Sequence, residues 1–262
     1  VLQILPSLDY GGVERGTIEI AHELIKRNHK SIVVSGGGRL VPELTTSGSE
    51  HIDLSVGKKS IASIKLIPKL SQLFLEKNVD IVHVRSRFPA WLAHFALKKI
   101  QCEKKPILIT TVHGPYTVNR YSKIMMSGCR VIAISKYIKK YIINNYPDIN
   151  KNKIEIIPRG VDQNEYCSDY KPSNSWINNW HNEFPNLENK FLVTLPARLT
   201  RWKGQNDFIK IINKLNKRGI NVHGLIVGGV DKRKKGYLEE LKLLVKKNNI
   251  ENHITFTDHR DD

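Results

Sequence analysis

Arg198 and Lys203 stand in the run Ala197-Arg198-Leu199-Thr200-Arg201-Trp202-Lys203-Gly204. Phe191-Leu192-Val193-Thr194-Leu195 before them is a short apolar run that reads as a strand, and Phe208, Ile211, Ile212 and Leu215 after them recur at helical spacing. The run is therefore a strand-to-helix turn. A helix starting near Gly204 points unpaired N–H groups and the positive end of its dipole at that turn, and the two side chains add charge there, so the turn suits a diphosphate. Taken alone, the segment reads equally as a solvated basic loop.

Other chemistry-bearing residues also fall where strands end. Gly11-Gly12-Val13-Glu14-Arg15-Gly16 follows the first strand and lets backbone approach a ligand just before a helix. It lacks the spacing of the dinucleotide fingerprint, and a tight strand-to-helix connection is its plainer reading. Thr110-Thr111-Val112-His113-Gly114-Pro115 puts His113 at a carboxyl end of the sheet, where open α/β folds bind ligands. His83, inside Ile81-Val82-His83-Val84, reads as a satisfied core residue, and Arg85 and Arg87 after it face either the same crevice or water. Ile157-Pro158-Arg159-Gly160-Val161-Asp162 has the Pro and Gly of an interdomain crossing and reads as structural. Gly228-Gly229 closes a strand at a second place where backbone can approach a nucleotide, and Lys232-Arg233-Lys234-Lys235 after it is most simply a solvated loop.

The elements that must position these residues alternate along the chain. Strand-like runs cover 1–5, 32–34, 80–84, 107–112, 130–134 and 154–157, with helical stretches over 17–27, 63–77, 90–99 and 136–145 between them. Such alternation predicts a parallel sheet flanked by helices. Residues 168–190 break the pattern and read as a linker with one short helix. The alternation resumes with strands at 191–195, 223–227 and 254–257 and helices after Gly204 and over 237–247. The expected division is thus a domain over 1–167, the linker, and a partial domain over 191–262.

At 262 residues two domains are the natural reading, and a net charge of +17 points to an anionic partner without choosing among nucleic acid, a membrane surface and phosphorylated small molecules. Cys102, Cys129 and Cys167 show neither zinc nor disulfide spacing, which points to a reducing compartment. No stretch is apolar enough for a membrane span. Ile61, Ile64, Ile67, Leu70 and Leu73, interleaved with Lys58, Lys59, Lys65 and Lys69, read as an ordinary helix packed on the sheet, a helix lying on lipid being the alternative, and Pro68 should distort either. A chain that starts without Met and stops at Asp262 just after a strand reads as a fragment, and the natural protein is expected to continue.

The order Gly11-Gly12-Val13-Glu14-Arg15, His113-Gly114, Ile157-Pro158-Arg159-Gly160-Val161-Asp162, Arg198 with Lys203-Gly204, and Val227-Gly228-Gly229 resembles the retaining GT-B glycosyltransferases of the family 4 group, most of all the bacterial branch that builds lipopolysaccharide and other envelope glycans. The resemblance implies an α/β fold of two Rossmann-like domains facing across a cleft, acceptor on the N-terminal side and nucleotide-sugar on the C-terminal side, the latter domain truncated. It implies that Arg198 and Lys203 grip the donor diphosphate and stabilise charge on the leaving group. Gly11, Gly12, Gly228 and Gly229 would bring backbone to donor or acceptor, and His113 would hydrogen-bond the donor sugar. No metal and no cofactor is implied, the nucleoside-diphosphate-sugar being a substrate. The implied partners are that donor and a glycan or glycolipid acceptor at an anionic inner-membrane surface, in the cytoplasm, without nucleic acid. Arg159 stands where many relatives carry Asn, and the pair of glutamates that binds donor sugar and ribose lies beyond Asp262. A sugar-nucleotide epimerase or phosphorylase on the same architecture is the competing reading, and a basic nucleic-acid-binding protein the remote one.

Overall fold

The computed structural model describes residues 1–102, 104–163, 166–230 and 235–260. Lys232, Arg233 and Lys234, singled out above as a basic run, and the terminal Asp261 and Asp262 lie outside the described residues. The chain divides into two compact units, Val1–Glu165 and Tyr166–Asp262.

The first unit is built on a seven-stranded sheet: β1 (Leu2–Ile4), β2 (Ile32–Ser35), β3 (Glu50–Asp53), β4 (Ile81–Val84), β5 (Ile107–Val112), β6 (Arg130–Ala133) and β7 (Ile154–Ile156), in the order β3-β2-β1-β4-β5-β6-β7. Every pairing is parallel, the strands being joined by the crossover helices α1 (Gly12–Lys26), α2 (Val41–Thr46), α3 (Leu66–Glu76), α4 (Arg87–Lys99) and α5 (Lys136–Asn145) and, between β5 and β6, by the 3-10 turn Ser122–Met126. The chain runs outward from β1 to β3 and returns to the other side of β1 with β4. The switch in direction between β1 and β4 opens the crevice where α/β sheets take ligands. Leu2, Ile4, Val82 and Val84 on the central strands are buried among Phe74, Leu70, Ala93 and Ile142.

Three features of this unit depart from the sequence reading. β3 is an added strand: Glu-His-Ile-Asp carries no apolar run because it lies on the sheet edge, where one flank is unpaired and polar side chains are tolerated. α2 is an added helix with Pro42 in its first turn. The expected single helix over 63–77 is a 3-10 turn at Ile61–Lys65 followed by α3. Pro68 falls in the first turn of α3, where its missing N–H has no helical partner to lose, so it starts the helix rather than distorting it. Leu70, Leu73 and Phe74 are buried against the sheet, as an ordinary packed helix requires, while Ile61 and Ile64 are left exposed on the 3-10 turn.

The second unit has a three-stranded parallel sheet, β8 (Phe191–Pro196), β9 (Val222–Val227) and β10 (Ile254–Phe256), ordered β10-β9-β8, with α7 (Gln205–Lys217) and α8 (Lys235–Lys247) as connections. Phe208, Ile209, Ile212, Ile226, Leu241 and Ile254 form its core. α7 and the side chains of β10 crowd β9 so closely that a Cβ on Gly224 would stand 2.8 Å from Ile212 Cγ1 and 2.7 Å from Ile254 Cδ1, which is why the middle of a buried strand carries a glycine. Within the stretch 168–190, α6 (Asn174–Glu183) is capped by Ser173 and lines up Trp176, Trp180 and Phe184 in a row, with the Arg260 guanidinium over Trp180 and Phe184 and paired with Glu183. Among the described residues no helix is long and apolar enough to cross a membrane, and no group of three His, Cys, Asp or Glu side chains is placed to hold a metal ion.

Candidate functional site

In the second unit the chemistry sits in the loop from β8 to α7. Ala197 N donates to Val227 O at 2.8 Å and Leu199 N to Gly229 O at 3.2 Å, so the loop continues the β8–β9 ladder past the end of the strands. Leu199 is buried and anchors the loop, leaving Arg198 and Lys203 exposed on either side of it. The buried Gln205 holds the far end by donating from Nε2 to Arg198 O at 3.0 Å. Gly204 then takes φ 80°, a left-handed conformation with open space about its Cα, so glycine is required there for backbone freedom and not for room. No side chain caps α7, and the N–H groups of its first turn face the loop unpaired.

The three cations of this loop have different fates. Arg201 pairs with Glu240 at 2.6 Å and lies over the Tyr237 ring, its charge already answered. Arg198 and Lys203 make no ion pair among the described residues. Two unanswered cations beside an uncapped helix start are what an oxyanion needs.

Gly228 has a use within the protein itself. Its φ is 155°, and a Cβ would lie 2.1 Å from Ala197 O. Its N–H donates to Asp258 O at 2.8 Å and is spent inside the protein. Glycine is needed there for two loops to meet. At Gly229 a Cβ would come within 3.1 Å of His259 Cβ, a lesser crowding.

In the first unit the carboxyl ends of β4, β5 and β7 bring Arg85, His113 and Arg159 to the start of α1. Arg85 is only 4% exposed. Its Nη1 donates to Gln3 Oε1 at 2.9 Å, and Gln3 Nε2 donates in turn to Thr17 O at 3.1 Å, tying β4 to β1 and α1. Burial and the nearby Arg159 lower the Arg85 pKa to about 10, while Glu19 and Glu14 favour its charge without forming an ion pair with it. Arg159 reaches back over the helix: a Cβ on Gly12 would stand 2.7 Å from its Nη1. Gly11, the residue before α1, has φ 165°, extended backbone open to any residue, and its carbonyl accepts from Arg15 N at 2.9 Å.

Arg159 Nη2 lies 3.4 Å from His113 Nδ1. A guanidinium only donates, so Nδ1 holds the lone pair and the imidazole proton sits on Nε2. That Nε2 is buried and unpartnered. Burial, then Arg85, Arg159 and His83, push the His113 pKa down to about 3, so the ring is neutral at any physiological pH. It offers a hydrogen bond, not a charge. His83 is the core residue the sequence suggested, bonded through Nε2 to Thr111 Oγ1 at 2.7 Å.

The sequence thus brings Arg198 and Lys203 to one loop, and His113, Gly11 and Gly12 to one crevice. It reads Arg159 only as part of a structural crossing, whereas the fold also brings its guanidinium beside His113, Gly12 and Gly16, and it leaves Arg85 undecided between crevice and water. Both are arginines one residue or more past a strand end, a signal that the apolar runs before them could have given.

The family described as Glycosyltransferase Family 4 matches residues 10–165, and Glycosyl transferases group 1 matches residues 177–262. A glycosyltransferase from Rickettsia africae ESF-5 is 32% identical over 100% of this chain and 68% of its own, with a TM-score of 0.81. Anabaena HepE in complex with UDP and glucose is 19% identical over 99% of this chain and 69% of its own, at 0.79, and WaaG, a glycosyltransferase involved in lipopolysaccharide biosynthesis, 13% over 99% and 70%, at 0.71. No curated protein matches the chain. With its α/β units built like those of GT-B enzymes and its first 165 residues matched almost throughout, the chain belongs to glycosyltransferase family 4.

Proposed function

We propose that this glycosyltransferase moves a sugar from a nucleoside-diphosphate-sugar to a glycan or glycolipid acceptor with retention of configuration, and that Arg198 and Lys203 hold the donor diphosphate. The observation that carries this reading is the contrast within one loop: Arg201 is neutralised by Glu240, while Arg198 and Lys203, exposed in the loop that leads into the uncapped α7, have no carboxylate partner among the described residues. Glycosyl transfer leaves a nucleoside diphosphate carrying the bond's electron pair, and fixed cations and helix N–H groups aimed at that charge stabilise the transition state more than the ground state. His113 suits a role beside the sugar, because a neutral ring with its proton on Nε2 donates to a hydroxyl without competing for the leaving group's charge. The bound UDP of the HepE structure makes a uridine diphosphate donor the first to test. A lipid-linked envelope acceptor agrees with the net charge of +17 and with Ile61 and Ile64 standing exposed beside Lys65, a combination suited to an anionic bilayer surface.

Calorimetric titration of UDP and GDP into the protein and into an Arg198→Ala, Lys203→Ala double variant tests the assignment. Binding in the micromolar to millimolar range should fall at least about 30-fold in the double variant, from the loss of two charge-assisted contacts at an exposed site. Affinity unchanged by the double substitution would make both cations mere surface charge and end this reading.

A further inference from the structure

The first unit holds a second pair of cations with no ion pair among the described residues, and nothing in the diphosphate assignment uses them. Arg85 and Arg159 come from the ends of β4 and β7, strands separated in the sheet by β5 and β6, yet their Nη2 atoms both lie 3.1 Å from the point a Cβ would occupy on Gly16. The two guanidinium nitrogens are therefore within twice that distance of each other. Gly16 is buried and has no side chain to separate them, and Gly12 gives Arg159 its room.

Two guanidiniums so close repel unless something negative lies between them. Their own surroundings supply little of it. Arg85 spends one nitrogen on the neutral Gln3, and its buried Nε has no partner. Arg159 has His113 Nδ1, also neutral. Glu14 and Glu19 lie near Arg85, but neither bonds to either guanidinium. Keeping a 96% buried arginine braced by a glutamine, in place of a carboxylate that would neutralise it, leaves its charge free for a ligand. The start of α1 faces the same place, with the Glu14 carboxylate folded against Gly11, and His113 Nδ1 borders it through Arg159.

We propose that Arg85 and Arg159, converging over Gly16 beside His113, form an anion site in the first unit that receives a carboxylate or phosphate carried by the sugar substrate. The inference rests on the reading that the donor diphosphate belongs to Arg198 and Lys203, and it makes the enzyme selective for a charged sugar. Arg159 is the specificity-determining member, because it is the exposed half of the pair. Arg85 is its fixed counterpart. The planar fork of a guanidinium fits two oxygens of either anion, and two forks converging on one point fit an oxyanion better than a neutral hydroxyl.

Ring resonances of His113, identified by their loss in His113→Gln, report on this site independently of catalysis. Glucuronate and glucose 1-phosphate are titrated separately, with glucose as the neutral control, into the wild type, Arg159→Gln and the Arg198→Ala, Lys203→Ala variant. Because the Arg159 head is exposed, Arg159→Gln is expected to fold, which a matching thermal melt verifies; Arg85→Lys serves as the second variant. One or both anions should shift His113 in the wild type and in the double variant, glucose should not, and Arg159→Gln should weaken the response about tenfold or more. A response to glucuronate alone assigns a carboxylate, and to glucose 1-phosphate alone a phosphate. No response to either anion, or an equal response in Arg159→Gln, overturns the proposal. So does UDP binding at His113 that is lost in Arg159→Gln, since the pair would then belong to the diphosphate. UDP affinity untouched by the double variant while the anions still shift His113 would remove only the diphosphate assignment.

Discussion

Mild acid should destabilise the seven-stranded unit well before its carboxylates are protonated. His83 and His113 both lie in that unit, and both are held near a pKa of about 3, against 6.5 for a free imidazole, first by burial and then by the arginines around them. A folded-state pKa below the unfolded value means that the unfolded chain binds more protons between those limits, so stability is full above pH 6.5 and is lost as pH falls toward 3. At pH 5 an unfolded imidazole is almost fully protonated while the folded one is not, which costs about 2 kcal/mol for each wholly enclosed histidine. His113 is the less enclosed, so the two together give about 3–4 kcal/mol between pH 8 and pH 5, a large share of the stability of an ordinary domain. His51 and His94 are shifted the same way by burial and can only add to the loss. Trp91 is the one tryptophan in the first 165 residues, so a variant with Trp176, Trp180 and Trp202 changed to Phe reports urea unfolding of this unit alone. Its midpoint should drop by about 2 M urea between pH 8 and pH 5, at slopes usual for this size. His83→Gln keeps a group able to bond Thr111 but cannot titrate, and should remove about half of that drop. A midpoint indifferent to pH, or the same pH dependence in His83→Gln as in the parent, would show that these rings are not held neutral and would undo the argument for the His113 tautomer.

Two further substitutions separate roles that look alike in the sequence. Gly228→Ala forces a Cβ to within 2.1 Å of a backbone oxygen that cannot swing aside, and should destabilise the second unit by about 3 kcal/mol or more, read as a lower melting temperature by circular dichroism; a melt within a degree or two of the parent would refute the loop-to-loop approach. Arg201→Ala removes a cation already paired with Glu240 and should leave UDP affinity within about twofold, and a loss as deep as that of Arg198→Ala, Lys203→Ala would mean that charge in this loop acts collectively and not through two placed groups.

The strands of this protein are legible where both faces are covered. Ile32-Val33-Val34 and Ile81-Val82-His83-Val84 are continuous apolar runs because a parallel sheet wrapped in helices leaves no wet face. The edge strand Glu50-His51-Ile52-Asp53 needs no such run, so its pattern merges with the loops around it. Helix starts are harder for a related reason: Gly12 and Asn174 begin helices without an apolar residue to mark the period, and Pro68 looks like a break because its place in the first turn depends on where the 3-10 turn ends. For the site, position relative to a strand end is readable in one dimension, which brings out His113, Arg198 and Lys203. Convergence of residues from strands that are not neighbours is not readable, and it is this that separates Arg85 and Arg159 from the many other basic side chains of a chain with 42 of them.

The glycines show how the two kinds of information meet. Gly11, Gly12, Gly228 and Gly229 all read as points where backbone approaches a ligand, and Gly204 as the start of a helix, yet the fold uses them for different ends. Gly204 supplies a left-handed turn, Gly228 lets two loops of the protein touch, and Gly11 has an extended backbone that imposes no such need. Gly12 makes room for a side chain that arrives from residue 159, as Gly16 does for two. The space beside α1 is thus already occupied by guanidinium groups, and any ligand that enters meets their charge before it meets the helix N–H groups. Glycine at positions 12 and 16 is then a condition for Arg85 and Arg159 to act together: a side chain at either position would push Arg159 away from His113, and with it the group that fixes the imidazole proton on Nε2. The glycine-rich turn and the arginine at the far end of the same unit are consequently one device, which is why neither could be interpreted from the sequence without the other.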